Sequence, residues 1–255
     1  MQAIGRLLSY IRAPFLLVFG ALYTIFGSIL VILVAYATRS PRCIDFVCVD
    51  VWARVLLFFS GVKVEIRGWD NLQKSSKGFL ILFNHSSHYD IPVLFCFPQS
   101  FRFGAKIELF KVPFFGKAMA ACGALPIDRG NREKVMKVYE NAIARVNKGE
   151  AFALAPEGTR QSEPKIGAFK RGPFEFAANA QMDLVPVVIA GAYEVLPKKS
   201  IWVNLGQWRR KVIMEILPRM PAAGLEGEEL VALKDQVRTK MEDVFNRNHA
   251  EVYPV

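Results

Sequence analysis

Histidine and cysteine, the residues that build most transition-metal sites, are scarce in this chain. The 255 residues include three histidines and four cysteines. The cysteines are scattered and match no zinc-binding spacing; they are Cys43, Cys48, Cys96 and Cys122. We therefore expect no metal ion and no resident cofactor. Unpaired cysteines also fit a reducing, cytoplasmic setting better than a secreted, disulfide-stapled one.

Acidic residues are in the minority, 23 against 33 lysines and arginines, so the formal net charge is +10. This balance indicates an anionic partner, although a general role in solubility is the alternative. The sequence has no zinc finger, RNP-like motif or long basic arm, which argues against nucleic acid. The partners that remain are anionic lipid head groups, coenzyme A and an acidic carrier protein.

Charge is absent from Pro14 to Ala37, a run long enough to cross a hydrocarbon core as a helix. Arginines lie on both sides of it, so they do not decide the orientation. Ala35-Tyr36-Ala37 resembles a signal-peptidase site, but the apolar run is longer than a signal sequence needs. The next stretch, Cys43 to Gly61, is apolar yet carries three charges, which favours an amphipathic helix at the membrane interface.

Together these segments predict an N-terminal membrane-anchoring helical hairpin, residues 1–61. The hairpin is half-sunk in one leaflet, or its first helix spans the bilayer. Residues 62–255 are long enough for one domain and contain no linker or repeat. Apolar runs predict strands at Val62–Ile66, Phe79–Phe83, Phe152–Ala155, Leu184–Ile189 and Val212–Ile216. Helices are predicted between them, at Glu108–Cys122, Arg132–Asn147 and Gly172–Ala180, and at Glu228–Asn248. This alternation indicates an α/β fold, a mixed β-sheet layered by helices.

The segment NHSSHYD, residues 84–90, contains two of the three histidines, and His85 precedes Asp90 by five positions. It follows the apolar strand GFLILF and precedes an apolar helix, so His85 is expected on the strand-to-helix turn and Asp90 in the first helical turn. A carboxylate next to an imidazole holds it in the tautomer that accepts a proton. The alternative is that these polar residues only form the turn and cap the helix.

Further segments follow in a fixed order: GAKIELFKVPFFG, GALPIDRG, APEGTR, GAFKRG and VPVVI. With these the chain resembles the 1-acylglycerol-3-phosphate acyltransferases. NHSSHYD is similar to their HxxxxD catalytic block, and the likeness covers about Val62 to Pro218. The resemblance implies the glycerolipid acyltransferase fold, with His85 as general base and Asp90 as its orienting partner. It implies direct transfer of an acyl group from acyl-CoA or acyl carrier protein to the sn-2 hydroxyl of lysophosphatidate, forming phosphatidate. A covalent route through Ser86 or Ser87 lacks the GxSxG elbow.

The same resemblance assigns a phosphate-binding set. Arg160 and Arg129 are its guanidinium clamps, Thr159 a hydroxyl donor, and Gly158 the turn that lets the backbone approach. Glu157 belongs to this block, where we expect it to hold an arginine in place. Lys106 is a further candidate for phosphate or coenzyme A. The supporting residues are Asn84, Lys170 and Pro186, of which Pro186 is expected to shape a strand end near the site.

The chain departs from the family at Ala155, where an aromatic residue is usual. The smaller side chain removes bulk from one wall of the expected pocket and is expected to alter acceptor or acyl fit. Three other functions stay open: acyl transfer to another lysolipid such as a lyso-ornithine lipid, a thioesterase, and a non-catalytic lipid-binding protein. We expect the protein at the cytoplasmic face of a membrane, the bacterial inner membrane.

Overall fold

A mixed eight-stranded sheet lies at the centre of the computed structural model, which describes residues 2–72 and 77–253. In chain order the strands are β1 (Val62–Arg67), β2 (Leu80–Phe83), β3 (Arg102–Lys106), β4 (Leu125–Ile127), β5 (Phe152–Leu154), β6 (Asp183–Ala190), β7 (Arg210–Ile216) and β8 (Met220–Pro221). They are ordered β1-β7-β6-β2-β5-β3-β4, and β8 pairs with β6. From β6 to β4 every pair is parallel, whereas β6 runs antiparallel to β7 and β8. The carboxyl ends of five strands therefore share one edge.

Helices cover both faces of the sheet. They are α1 (Gln2–Thr38), α2 (Pro41–Phe46), α3 (Arg54–Phe59), α4 (Asp90–Leu94), α5 (Phe115–Ala121), α6 (Arg132–Val146), α7 (Gly172–Asn179), α8 (Ala192–Val195) and α9 (Gly227–Val252). Helices α6, α7 and α9 pack on one face, and α1, α3, α4 and α8 pack on the other. Side chains alternate along a strand, so Leu80 and Leu82 of β2 reach the first layer and Ile81 and Phe83 the second. The predicted α/β architecture is confirmed.

The N-terminal helices form the predicted hairpin. A π-helical segment, Val47–Ala53, joins α2 to α3, so residues 41–59 return antiparallel to α1. The Tyr23 hydroxyl donates to the Val51 carbonyl at 2.6 Å, and Trp52 Nε1 donates to Thr24 Oγ1 at 3.1 Å. Within the described residues, Ile4–Thr38 is the one helix long and apolar enough to cross a membrane, and only 17% of its most apolar window is buried.

Asp45, the charged residue of α2 nearest the sheet, bonds to the protein and not to a lipid head group. Asp45 accepts hydrogen bonds from Arg102 of β3, whose Nε also donates to Glu150 at 2.9 Å. This network fastens the hairpin to the sheet. The boundary between residues 1–61 and 62–255 remains our proposal for how the chain divides.

The prediction of one helix over Glu108–Cys122 is wrong. Ile107–Lys111 form a 3₁₀ turn, and α5 begins only at Phe115. Pro113 explains the break, because a residue before proline is driven to extended backbone, and Val112 has φ −70° and ψ 126°. Phe114 then takes a positive φ of 60°. The other predicted strands and helices are confirmed to within four residues at each end.

Candidate active site

His85 lies where the sequence predicts it, on the turn between β2 and α4. Its Nδ1 is 2.8 Å from Asp90 Oδ2. The same carboxylate oxygen accepts the backbone N–H of Ser86 at 2.7 Å and of Ser87 at 2.8 Å. Asp90 is fully buried, and its side chain is held by the turn that it closes. Because the carboxylate can only accept, Nδ1 carries the proton and Nε2 is left free to accept one.

Asn84 fixes the strand end that carries His85. Its Nδ2 donates to the Ile189 carbonyl at 2.9 Å, and its Oδ1 accepts the Ile189 N–H at 2.7 Å. The side chain thus continues the pairing of β2 with β6 after the backbone has turned away. Asn84 and Ile189 are both buried, so removing the Asn84 amide would leave the N–H and the carbonyl of Ile189 without partners.

Asn84→Ala is expected to lower the free energy of unfolding by about 2–4 kcal/mol, since each unsatisfied buried group costs about 1–3 kcal/mol. Urea unfolding in detergent micelles measures this loss. Asn131→Ala is the matched control, because Asn131 caps α6 through one exposed bond, to Lys134 N at 3.0 Å, and its loss costs about 1 kcal/mol. Equal losses for the two variants would contradict the clamping role of Asn84.

The APEGTR segment follows β5 at the same edge of the sheet. Two hydrogen bonds join this region to the backbone of His85. Glu157 Oε1 accepts the His85 N–H at 3.0 Å, and the Gln161 N–H donates to the His85 carbonyl at 2.9 Å. Gly158 has a φ of +71°, which closes the turn, and the Lys170 side chain lies directly against it. The Lys170 N–H donates to the Pro156 carbonyl at 2.8 Å. Two sequence blocks more than sixty residues apart therefore build one site.

The expectation that Glu157 holds an arginine is wrong. Its Oε2 accepts the Gly167 N–H at 3.3 Å, so both carboxylate oxygens bind backbone amides. Within the described chain no arginine lies at salt-bridge distance from it. Burial raises the pKa of Glu157 to about 7, against the opposing effect of these hydrogen bonds. The carboxyl group positions the loops that carry His85 and residues 165–170.

The pH dependence of stability tests this environment. The pKa of Glu157 lies above its ordinary value of 4.5 in the folded state, so the stability it contributes is fully present below about pH 4.5. That contribution is lost as the pH rises through about 7. Glu157→Gln is therefore expected to flatten the fall in thermal midpoint between about pH 5 and about pH 8. Glu163→Gln is the control, since Glu163 is an exposed glutamate of the same loop whose pKa is lowered by its pairing with Lys165, and it is expected to leave this slope unchanged. Equal slopes for wild type and Glu157→Gln would contradict the assignment.

A pocket of about 320 Å³ lies beside this turn. Its basic lining comes from Arg129, Lys170, Arg132 and Arg171, and Gly158 forms part of its wall. Arg132 and Arg171 both pair with Glu175, at 2.8 and 3.0 Å. The sequence analysis missed these two arginines. The run Lys170-Arg171 in GAFKRG and the position of Arg132 three residues after Arg129 were the available signals.

Arg129 and Arg160 have no carboxylate within salt-bridge distance in the described part of the chain. Burial lowers the pKa of both guanidinium groups. Arg129 reaches the pocket from the end of β4, whereas Arg160 does not line it and lies on the Asp90 side of the turn. Arg129 is exposed and Arg160 partly buried, so both guanidinium groups are accessible to an anion.

The other predicted residues are placed as follows. Thr159 is exposed on the turn. Lys106 ends β3 at the same edge, but it pairs with Glu108 at 3.2 Å and its side chain is half exposed. Pro186 lies in the middle of β6 and not at its end, in the gap between the residues that pair with β8 and with β7. A residue without an N–H fits that gap.

Ala155 lies between the basic pocket and the apolar cluster next to His85. It lines the pocket, and it packs with the cluster that includes Phe83 and Phe103. The Phe83 ring in turn meets the His85 ring edge-on at 5.9 Å. The small side chain is therefore next to both the basic pocket and the apolar surroundings of His85.

The second histidine of the block plays a different part from the first. Burial, together with the positive charges of Arg160 and His85, lowers the pKa of His88 to about 4. His88 is therefore neutral at neutral pH and adds no charge to the site. Its ring makes no hydrogen bond to Asp90, which leaves His85 as the histidine that the carboxylate orients.

An imidazole oriented by a buried carboxylate lies at the carboxyl edge of a mostly parallel sheet, and a pocket with a basic lining opens at the same edge. The chain belongs to the acyltransferase family, whose sequence profile matches residues 63–190. The 1-acyl-sn-glycerol-3-phosphate acyltransferase of Saccharomyces cerevisiae is 29% identical over 96% of this chain and 80% of the yeast protein. The alpha form of Homo sapiens is 30% identical over 74% of this chain and 65% of the human protein.

The chain spans about half the length of the plant relatives that it matches. It is 28% identical to the chloroplastic 1-acyl-sn-glycerol-3-phosphate acyltransferase BAT2 of Brassica napus, over 77% of this chain and 54% of that protein. Among solved structures, the crystal structure of the 1-acyl-sn-glycerophosphate acyltransferase PlsC from Thermotoga maritima has the same fold. The TM-score is 0.73 at 24% identity, over 100% of this chain and 99% of the other.

Proposed function

We propose that the protein transfers an acyl group from acyl-CoA or acyl carrier protein to the sn-2 hydroxyl of 1-acylglycerol-3-phosphate, forming phosphatidic acid. The observation that carries the proposal is the 2.8 Å contact between His85 Nδ1 and the buried Asp90. Arg129 and Arg160, which have no carboxylate partner among the described residues, support it. The relatives named after this reaction support the choice of acceptor.

The reaction needs a base and a bound phosphate. His85 Nε2 accepts the proton of the acceptor hydroxyl while that oxygen attacks the thioester carbonyl carbon. The carbon–sulfur bond then breaks, and the leaving thiolate takes the proton from the imidazolium, which returns histidine to its neutral form. Arg129 and Arg160 bind the phosphate, Gly158 lets it approach the backbone, and Thr159 offers a hydroxyl. Lys170, above Gly158, adds positive charge.

Direct transfer is favoured over an acyl-serine intermediate. The Ser87 hydroxyl donates to the Leu196 carbonyl at 2.9 Å, and Ser86 is buried. Both serines give their backbone N–H groups to Asp90. A nucleophilic serine needs its hydroxyl bonded to a base, and among the described residues neither serine hydroxyl bonds the His85 ring. The backbone N–H groups of the two serines orient the Asp90 carboxylate, and the carboxylate orients the His85 ring.

The membrane is the source of the acceptor. The apolar helix α1 anchors the catalytic part at the cytoplasmic face of a bacterial inner membrane, where acyl-CoA and acyl carrier protein are available. Residues 1–61 form the anchor and residues 62–255 the catalytic domain. A product with two acyl chains then stays in the leaflet in which it forms.

Product analysis tests the proposal. Purified protein in vesicles is given radiolabelled acyl-CoA with lysophosphatidate, with a lyso-ornithine lipid or with no acceptor. We expect labelled phosphatidate with lysophosphatidate and little free fatty acid without acceptor. Preferential labelling of the ornithine lipid would move the assignment to another lysolipid, and release of fatty acid at the same rate without acceptor would make the protein a thioesterase.

A further inference from the structure

An exposed apolar loop lies beside the start of α1. Residues 196–209 connect α8 to β7, and we name them the 196–209 loop. Ile201 is 57% exposed, Trp202 39%, Leu205 37% and Trp208 43%. Single exposed apolar residues are common, but four within eight positions, two of them tryptophan, mark an interaction surface.

The loop is fastened to the anchor helix. The Arg12 guanidinium donates to the Trp208 carbonyl at 2.8 Å and to the Gln207 carbonyl at 3.0 Å, and it stacks 4.2 Å from the centre of the Trp208 ring. The Gly206 N–H donates to Ser9 Oγ at 2.9 Å. These bonds engage both terminal nitrogens of the Arg12 guanidinium and fasten the loop to the first turns of α1.

The helix surface next to the loop is apolar too. Its exposed side chains there are Ile4, Leu7, Leu8, Ile11 and Phe15, all at least 43% exposed. Loop and helix therefore present one continuous apolar surface. Exposed basic side chains border it, at Arg6, Lys199 and Arg209. Tryptophan with flanking lysine and arginine is typical of the boundary between lipid head groups and acyl chains.

We propose that the 196–209 loop is a second membrane contact, which inserts Ile201, Trp202 and Leu205 into the head-group boundary of a bilayer that contains anionic lipid. The proposal rests on the membrane setting of the proposed function and adds a surface outside the N-terminal hairpin. A bilayer fits better than a second protein, because the surface continues from the helix that is long enough to enter the membrane.

The inner side of the same loop contacts the candidate active site. The Leu196 carbonyl accepts from Ser87, and Lys198 Nζ donates to the Arg160 carbonyl at 2.5 Å. Asn204 Nδ2 donates to the Ser60 carbonyl at 2.7 Å, and the Ser60 hydroxyl bonds the Tyr89 hydroxyl. The loop thus lies between the lipid and both functional blocks, so its insertion sets the height of the site above the membrane.

Depth-dependent fluorescence quenching tests the contact in the full chain. The protein has four tryptophans, so the variant Trp52→Phe/Trp69→Phe/Trp208→Phe keeps only Trp202. It is placed in vesicles of phosphatidylcholine and phosphatidylglycerol brominated near the head-group end of the acyl chains. We expect roughly twofold lower emission than in unbrominated vesicles, because a ring at the boundary lies next to the bromines.

The matched control carries its one tryptophan on the opposite layer. Val231 of α9 is 37% exposed, and α9 packs on the face of the sheet away from α1. Val231→Trp, with all four native tryptophans changed to phenylalanine, is expected to show no quenching. Trp202 emission as insensitive to bromine as that of the control would overturn the proposal. So would protection of Trp202 from a water-soluble quencher without bromine quenching, since that pattern means a second copy covers the loop.

A kinetic readout separates this contact from the reaction itself. Ile201→Ser/Trp202→Ser/Leu205→Ser is expected to lower kcat/KM about tenfold for an acceptor held in vesicles, through loss of apolar insertion. Its rate with a short-chain, water-soluble lysophosphatidate is expected to match the wild type. Equal losses with both acceptors would overturn the proposal. Absence of transfer by the wild type would instead contradict the proposed function and leave the quenching result standing.

Discussion

His85→Ala is expected to lower kcat/KM for acyl transfer by about 10²–10⁴-fold, the usual contribution of one positioned general base. The effect is expected mainly in kcat, because the histidine acts on the proton that moves in the transition state and does not carry the acceptor phosphate. Steady-state rates over a range of lysophosphatidate concentrations in vesicles separate the two parameters.

His88→Ala is the matched control for that experiment. It removes the other histidine of the same turn, which is neutral at neutral pH and is not bonded to Asp90. We expect its kcat to stay within about tenfold of the wild type, since no proton transfer depends on it. A loss as large as that of His85→Ala would mean that general disturbance of the turn, and not the chemistry of one imidazole, explains both results.

Arg129→Met together with Arg160→Met is expected to raise KM for lysophosphatidate by at least about 100-fold, with a smaller change in kcat. A hydrogen bond to a charged group is worth about 1.5–3 kcal/mol, and on the proposed phosphate site the double substitution removes at least two such bonds. Methionine keeps most of the apolar length of the side chain, so the change removes charge and hydrogen bonds more than packing.

Arg247→Met provides the comparison for the loss of an arginine as such. Arg247 is exposed on α9 and pairs with Glu215 at 2.7 Å, on the side of the sheet away from α1. The KM of Arg247→Met for lysophosphatidate is expected to equal that of the wild type. If the Arg129 and Arg160 variant also kept the wild-type KM while losing kcat, these arginines would act on the reaction and not on binding of the phosphate.

The contact between His85 and Asp90 could be predicted from sequence because it is local. Five positions between His85 and Asp90 are enough for a turn to bring the carboxylate back to the imidazole, and the strand before and the helix after are visible as apolar runs. Arg129 and Gly158 likewise follow short strands, so parallel pairing places them at the same edge. The order of the motifs along the chain therefore indicates which residues meet at this edge of the sheet.

What the sequence did not reveal depends on strand order. Glu157 bonds the His85 N–H only because β5 lies directly beside β2, and nothing in the residues of APEGTR states which strand is the neighbour. The short strands β3 and β4 were missed because RFGAK and LPI lack an apolar alternation long enough to detect. The pairing of Asp45 with Arg102 joins distant segments in the same way.

The most direct test compares kcat/KM for two acceptors, lysophosphatidate and monoacylglycerol. The second is the same lipid without its phosphate. Both carry the hydroxyl that His85 would deprotonate, and only the first can engage the two unpaired arginines. The wild-type ratio of kcat/KM is expected to be at least about 100 in favour of lysophosphatidate, from two or more charge-assisted bonds. A ratio near one would contradict the claim that a phosphate-binding site and a general base together define this protein's activity.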